Sequence, residues 1–130
     1  MHDSKAASGP ATNDLTALRR FYVEGLGLTE LYAFAGHDGF DGLMIGHPHA
    51  PYHLEFTQQR DHAVPPAPTA ENLLVFYLPE RAGWEAAVAR LQAHAYVAVP
   101  AHNAYWDRQG LTFADPDGYR VVLYQAAWNF

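Results

Sequence analysis

Apolar and polar residues change their period several times along the chain, and each change marks a predicted element. Between Asp14 and Glu24 the apolar residues Leu15, Leu18, Phe21 and Tyr22 recur at helical spacing, with Leu26 just beyond. Asn13 or Asp14 is available as the N-cap, and Gly25 and Gly27 stop the helix. Beyond Leu28 the pattern shortens into three strand-like runs, Leu28 to Phe34, Gly42 to Ile45 and Tyr52 to Thr57. Turn signals at His37-Asp38-Gly39 and Gly46-His47-Pro48 separate them.

A connection follows, about residues 59–71, in which Pro65, Pro66 and Pro68 exclude both a helix interior and a central strand. The order of elements then restarts. Leu73 to Leu78 reads as a strand, and Arg81 to Ala93 as a helix with Trp84, Val88 and Leu91 at i, i+4 and i+7. Tyr96 to Val99, Gly110 to Ala114 and Tyr119 to Gln125 read as three further strands. If Lys5 to Ala11 supplies a strand before the first helix, both halves have the order βαβββ, although Ser8-Gly9-Pro10 is poor strand sequence. The expected organisation is one domain over residues 1–130, with one module at about 5–58 and a second at about 72–127.

Composition narrows the chemistry. A formal charge of −6, with acidic groups dispersed, opposes nucleic acid and anionic membrane as partners. No cysteine is present, which excludes disulfides, thiolate nucleophiles and zinc-thiolate sites and leaves only His, Asp, Glu or water to hold a metal. The opening Met1-His2-Asp3-Ser4-Lys5 is polar, and no apolar run is long enough to span a bilayer, so a cytoplasmic protein is expected.

Several short motifs occur in a telling order: Asn13-Asp14-Leu15, Arg20-Phe21-Tyr22, Gly25-Leu26-Gly27-Leu28, Tyr52-His53-Leu54-Glu55-Phe56 and Asp115-Pro116-Asp117-Gly118-Tyr119. Each has an architectural use. Phe21 and Tyr22 pack a helix on a sheet, the glycines permit a sharp helix-to-strand turn, and the Asp-Pro-Asp-Gly run forms a β-turn before the last strand. Together, over nearly the whole chain, they resemble the signatures of the vicinal oxygen chelate superfamily, the glyoxalase/bleomycin resistance/dioxygenase group. That resemblance implies an α+β fold of paired βαβββ modules, forming a curved mixed sheet with helices on the convex face and a ligand cup on the concave one. It also implies a homodimer.

Strand alternation then assigns faces. Leu54 and Phe56 are expected against the helix, with His53, Glu55 and Thr57 toward the cup; Leu73, Val75 and Tyr77, and Arg120, Val122 and Tyr124, line it from the second half. Catalytic relatives implied by the resemblance carry metal ligands at positions matching about Ala7, Glu55, Leu73 and Val122, of which Glu55 alone can ligate. The expectation is therefore no cofactor, with a divalent metal as the alternative, held by Glu55 and His53.

His53 and Glu55, two apart on one strand, are the candidate catalytic residues, as a proton acceptor with its orienting carboxylate or as ligands of an unconventional ion. The structural reading of the same pair has Glu55 bonded to Arg120 and His53 partly exposed. His37, His47 and His49 fall in expected loops and carry weaker signals. His102-Asn103-Ala104-Tyr105-Trp106-Asp107 reads either as a ligand-stacking wall or as a plug over the sheet or a dimer contact. The leading expectation is a binding protein for a small organic ligand. Tyr77, Tyr105, Trp106 and Tyr124 would supply aromatic surface, with His53, Glu55, His102 and Arg120 as polar contacts. A metal-dependent glyoxalase-, isomerase- or dioxygenase-like enzyme is the alternative.

Overall fold

The computed structural model describes residues 6–8, 11–67 and 69–127. The chain divides between Pro65 and Pro66 into two compact units. The first contains β1 (Ala6–Ser8), α1 (Leu15–Arg19), β2 (Thr29–His37), β3 (Phe40–Gly46) and β4 (Tyr52–Gln59). The second contains β5 (Leu73–Tyr77), α2 (Arg81–Ala93), a 3-10 turn (Ala104–Asp107), β6 (Gly110–Ala114) and β7 (Arg120–Tyr124). Of the expected first strand, Lys5, Gly9 and Pro10 lie outside the described residues, as does Pro68 of the connection.

In the first unit Asp14 is the N-cap, its carboxylate accepting the Ala17 N–H at 3.0 Å. The helix widens into a π-helical turn over Arg20–Gly25, closed by the Leu26 N–H donating to the Phe21 carbonyl at 2.8 Å. The widened turn carries Phe21 and Tyr22, both fully buried, toward the sheet, where the Tyr22 ring centroid is 5.0 Å from that of Phe56. Strand order is β1-β4-β3-β2, with β1 parallel to β4 and the remaining pairs antiparallel. Leu43 pairs with Phe56 and Ile45 with Leu54, so these four side chains share the helix-covered face. The two-residue loop Asp38-Gly39 takes positive φ at both positions, the hairpin geometry its sequence calls for.

The second unit repeats this topology with one strand fewer. Its order is β5-β7-β6, with β5 parallel to β7. Tyr96 to Val99 corrects the expectation of a third full strand: it contributes a single bridge, Val99 to Thr112, at the place β2 occupies beside β3 in the first unit. Pro100 has no N–H to extend the ladder, and Val97 is exposed, so no second face rewards further pairing. On one face α2 packs on β7, the Trp84 indole donating to the Leu123 carbonyl at 2.8 Å. Asp115 accepts the N–H groups of Asp117 at 2.8 Å and Tyr119 at 3.0 Å, which makes the Asp-Pro-Asp-Gly run the expected turn into β7.

Candidate functional site

The β4 alternation holds: Leu54 and Phe56 lie on the helix side, and His53 and Glu55 on the other. His53 is only 2% exposed, so the expectation of a partly exposed ring is corrected. Its Nε2 stands 4.0 Å from Glu55 Oε1, beyond hydrogen-bond length but within range of a charge interaction. Gly46 faces His53 in register, and a side chain there would crowd the His53 Cα and Cβ at 3.4 Å. Arg120, expected as a partner for Glu55, donates Nη1 to the Gly118 carbonyl at 2.6 Å within its own turn.

Register in the second unit puts Tyr77 beside Tyr124, Val75 beside Val122 and Leu73 beside Arg120 on the sheet face away from α2. Four of the expected aromatic residues do come together there. Tyr105 stacks on Tyr124 at 5.6 Å and 14° between planes; Trp106 meets Tyr124 edge-on at 5.3 Å, and Tyr77 meets it at 6.1 Å. The 3-10 turn delivers Tyr105 and Trp106. Asn103 caps it, its side-chain oxygen accepting the Tyr105 N–H at 2.9 Å, and the Arg108 guanidinium covers the outer face of Tyr105 at 5.5 Å.

Tyr124 is 3% exposed as a result. Burial, reinforced by a hydrogen bond and charge interaction with Tyr105, pushes its phenol above the ordinary tyrosine range, against the opposing charge of Arg108. Gly110 permits this packing. A Cβ there would lie 2.8 Å from the Leu123 carbonyl oxygen, 2.8 Å from Tyr124 Cδ1 and 2.9 Å from the Trp106 carbonyl oxygen.

Tyr124 and Val122 are buried, and beside them the unit has an open hollow of about 470 Å³, lined by Ala70, Glu71, Leu73, His102, Asn103, Ala104 and Trp106. It therefore gathers His102 and Trp106, while Tyr77, Tyr105, Arg120 and Tyr124 are not among its lining residues. Glu71 is a lining residue that sequence reasoning assigned to the connecting segment. Thr69 and Asn72 hold its backbone in a tight turn: the Glu71 N–H donates to Thr69 Oγ1 at 3.1 Å, and the Asn72 N–H to the Thr69 carbonyl at 3.3 Å. The Thr-x-Glu-Asn run immediately before an apolar strand was the available signal. Across the hollow's rim His102 Nε2 lies 3.5 Å from Glu71 Oε1.

The donor set does not suit a family-type metal. Ala7, Leu73 and Val122 offer no donor at the matching positions, and a divalent ion needs three or four. Among the described residues no group of three or more His, Cys, Asp or Glu stands close enough to hold one. No helix among them is long and apolar enough to cross a membrane.

Two units of like topology, each with a parallel pair in a small mixed sheet covered by one helix, are the fold of the glyoxalase, bleomycin resistance and fosfomycin resistance proteins. Leishmania major glyoxalase I shares it at a TM-score of 0.71 with 18% identity, over 92% of this chain and 84% of that one. TnmS3, an antibiotic-binding protein from Streptomyces sp. CB03234, shares it at 0.65 with 22% identity, over 95% of each.

More specifically, residues 10–57 match the YycE-like N-terminal domain and residues 71–125 the YycE-like C-terminal domain. Protein YycE of Bacillus subtilis strain 168 is 44% identical over 112 residues, which is 86% of this chain and 81% of that protein. A crystal structure of a Bacillus subtilis YycE protein of unknown function superposes at a TM-score of 0.89 with 38% identity, over 98% and 92% of the two chains. The chain belongs to the YycE-like family, within the vicinal oxygen chelate superfamily.

Proposed function

We propose that this protein binds a small organic molecule in the hollow of its second unit, without a metal ion. The observation that carries this reading is the hollow itself: Trp106 and Leu73 offer apolar surface, and Glu71, His102 and Asn103 are polar groups at its wall. Its volume falls in the range of ordinary ligand sites, roughly 300–1,000 Å³. The fold shared with an antibiotic-binding protein supports the reading, and the hydrocarbon side chains at three of the four metal positions support its metal independence.

A panel of small organic compounds screened by melting shift tests it. Compounds that raise the melting temperature of the wild-type protein are expected to lose their effect in an Ala70→Trp variant, which fills the hollow from a half-buried turn position. Hits that act equally on both proteins would contradict the assignment.

The buried His53 beside Glu55 favours a second reading, an acid–base or metal-assisted enzyme of the first unit. Elemental analysis of untagged protein separates the two. Stoichiometric metal in the wild type that disappears in Glu55→Ala supports the enzyme, and metal-free protein with an intact fold supports binding alone. We also propose a homodimer, the commonest closed assembly, for which sedimentation equilibrium at twice the chain mass is the expected result.

A further inference from the structure

We infer that the hollow selects organic cations: an ammonium group attached to a flat or branched apolar body. The inference rests on the binding role proposed above and adds the charge of the ligand. Among the seven lining residues Glu71 is the one carboxylate, and none is Lys or Arg. A carboxylate-bearing ligand would bring like charges together there, and a neutral one would leave the Glu71 charge unused.

The arrangement of the wall suits a cation in two further respects. Trp106 lines the hollow, tryptophan has the most electron-rich of the aromatic ring faces, and a cation within about 6 Å of such a face is attracted by its quadrupole. Its ring is held edge-on against Tyr124, and Tyr105 in turn stacks on Tyr124, so the indole is fixed before any ligand arrives. The Glu71 backbone is held by the Thr69 turn, and the Thr69 hydroxyl lies 3.4 Å from Oε2 of its exposed side chain. Its other oxygen already has a basic ring beside it, His102 at 3.5 Å, the position an incoming ammonium would share or take. Leu73, Ala70 and Ala104 supply the surface for the apolar body. Arg120, the register neighbour of Leu73, is not among the lining residues, and its guanidinium donates to the Gly118 carbonyl within its own turn.

Three probes of one shape, 2-phenylethylamine, 2-phenylethanol and 3-phenylpropionate, test the inference by NMR titration of 15N-labelled protein. The signals followed are the Trp106 indole and the amides of residues 70–73 and 102–106. The amine is expected to bind about fivefold more tightly than the alcohol, with the acid weakest, a ratio typical of one exposed charge plus one ring face. Glu71→Gln should bring the amine to the level of the alcohol and leave the alcohol unchanged. This variant keeps the shape of an exposed side chain, so an unaltered spectrum elsewhere certifies its fold. If the alcohol or the acid matches the amine at these same signals, or if Glu71→Gln leaves the amine unaffected, the preference for cations is overturned while binding in the hollow stands. If none of the three moves any of these signals, both are overturned.

Discussion

At the scale of single residues, two glycines of the second unit have opposite roles, and substitution separates them. Gly110 sits where any side chain meets backbone on two sides, so Gly110→Ala must displace the 3-10 turn or β7. It is expected to lower stability by about 1–3 kcal/mol, as overpacking does. Gly83 lies in α2, with its nearest neighbour, Glu80 Cβ, an ordinary 3.9 Å from a built Cβ. There Gly83→Ala is expected to raise stability by about 0.5 kcal/mol through the loss of unfolded-state freedom. Chemical denaturation of the two variants checks both signs.

Tyr124 makes a residue-scale prediction about pH. Its phenol is raised in the folded chain, so the folded state holds that proton more tightly than the unfolded state does. The associated stability is present below the ordinary tyrosine value of 10.0 and is lost as pH rises through the folded value. Melting temperature should therefore fall more steeply with pH just above 10.0 in the wild type than in Tyr124→Phe, and equal slopes would contradict the buried, neutral phenol.

At the scale of elements, the local grammar of the chain explains what could be read in advance. The α2 boundaries, the β6 boundaries and the Asp38-Gly39 hairpin follow from periodicity and turn chemistry, because in each case local preference and tertiary packing agree. Asp14 was one of two N-cap candidates, and the structure assigns the bond to it. Asp14→Ala is expected to cost about 1 kcal/mol, measured by thermal unfolding, since the Ala17 N–H then loses its acceptor.

Other features were not legible. The widening of the first helix into a π-helical turn depends on where the sheet needs Phe21 and Tyr22, which no local pattern encodes. The reduction of Tyr96 to Val99 to one bridge depends on what lies beside Val97, which is solvent. The candidate site was read in part for a similar reason. Alternation told which faces the side chains take, but it could not tell that the turn carrying Tyr105 would fold back onto Tyr124. That packing buries Tyr124, and the hollow beside it is lined by Glu71, His102 and Trp106 rather than by Tyr124.

At the scale of the whole molecule, the chain has the fold of its family, carried by both of its units. Membership of the YycE-like family rests on both halves of the chain, residues 10–57 and 71–125. The fold accommodates a glyoxalase and an antibiotic-binding protein alike, so function has to be argued from the side chains it carries here. Those are a hollow with one carboxylate and one indole in the second unit, and a buried histidine beside a carboxylate in the first. The net charge of −6 adds a long-range field that concentrates cations near the surface and falls away with salt. Association rates of cationic ligands should accordingly drop as ionic strength rises, while those of neutral ligands stay level; stopped-flow tryptophan fluorescence measures both.

The most direct test is a ligand titration of 15N-labelled protein freed of metal by chelator, read residue by residue. Binding in the hollow without a metal predicts shifts centred on residues 70–73 and 102–106, undiminished by the chelator. Shifts confined to the surroundings of His53 and Glu55, and seen only after a divalent ion is restored, would contradict it.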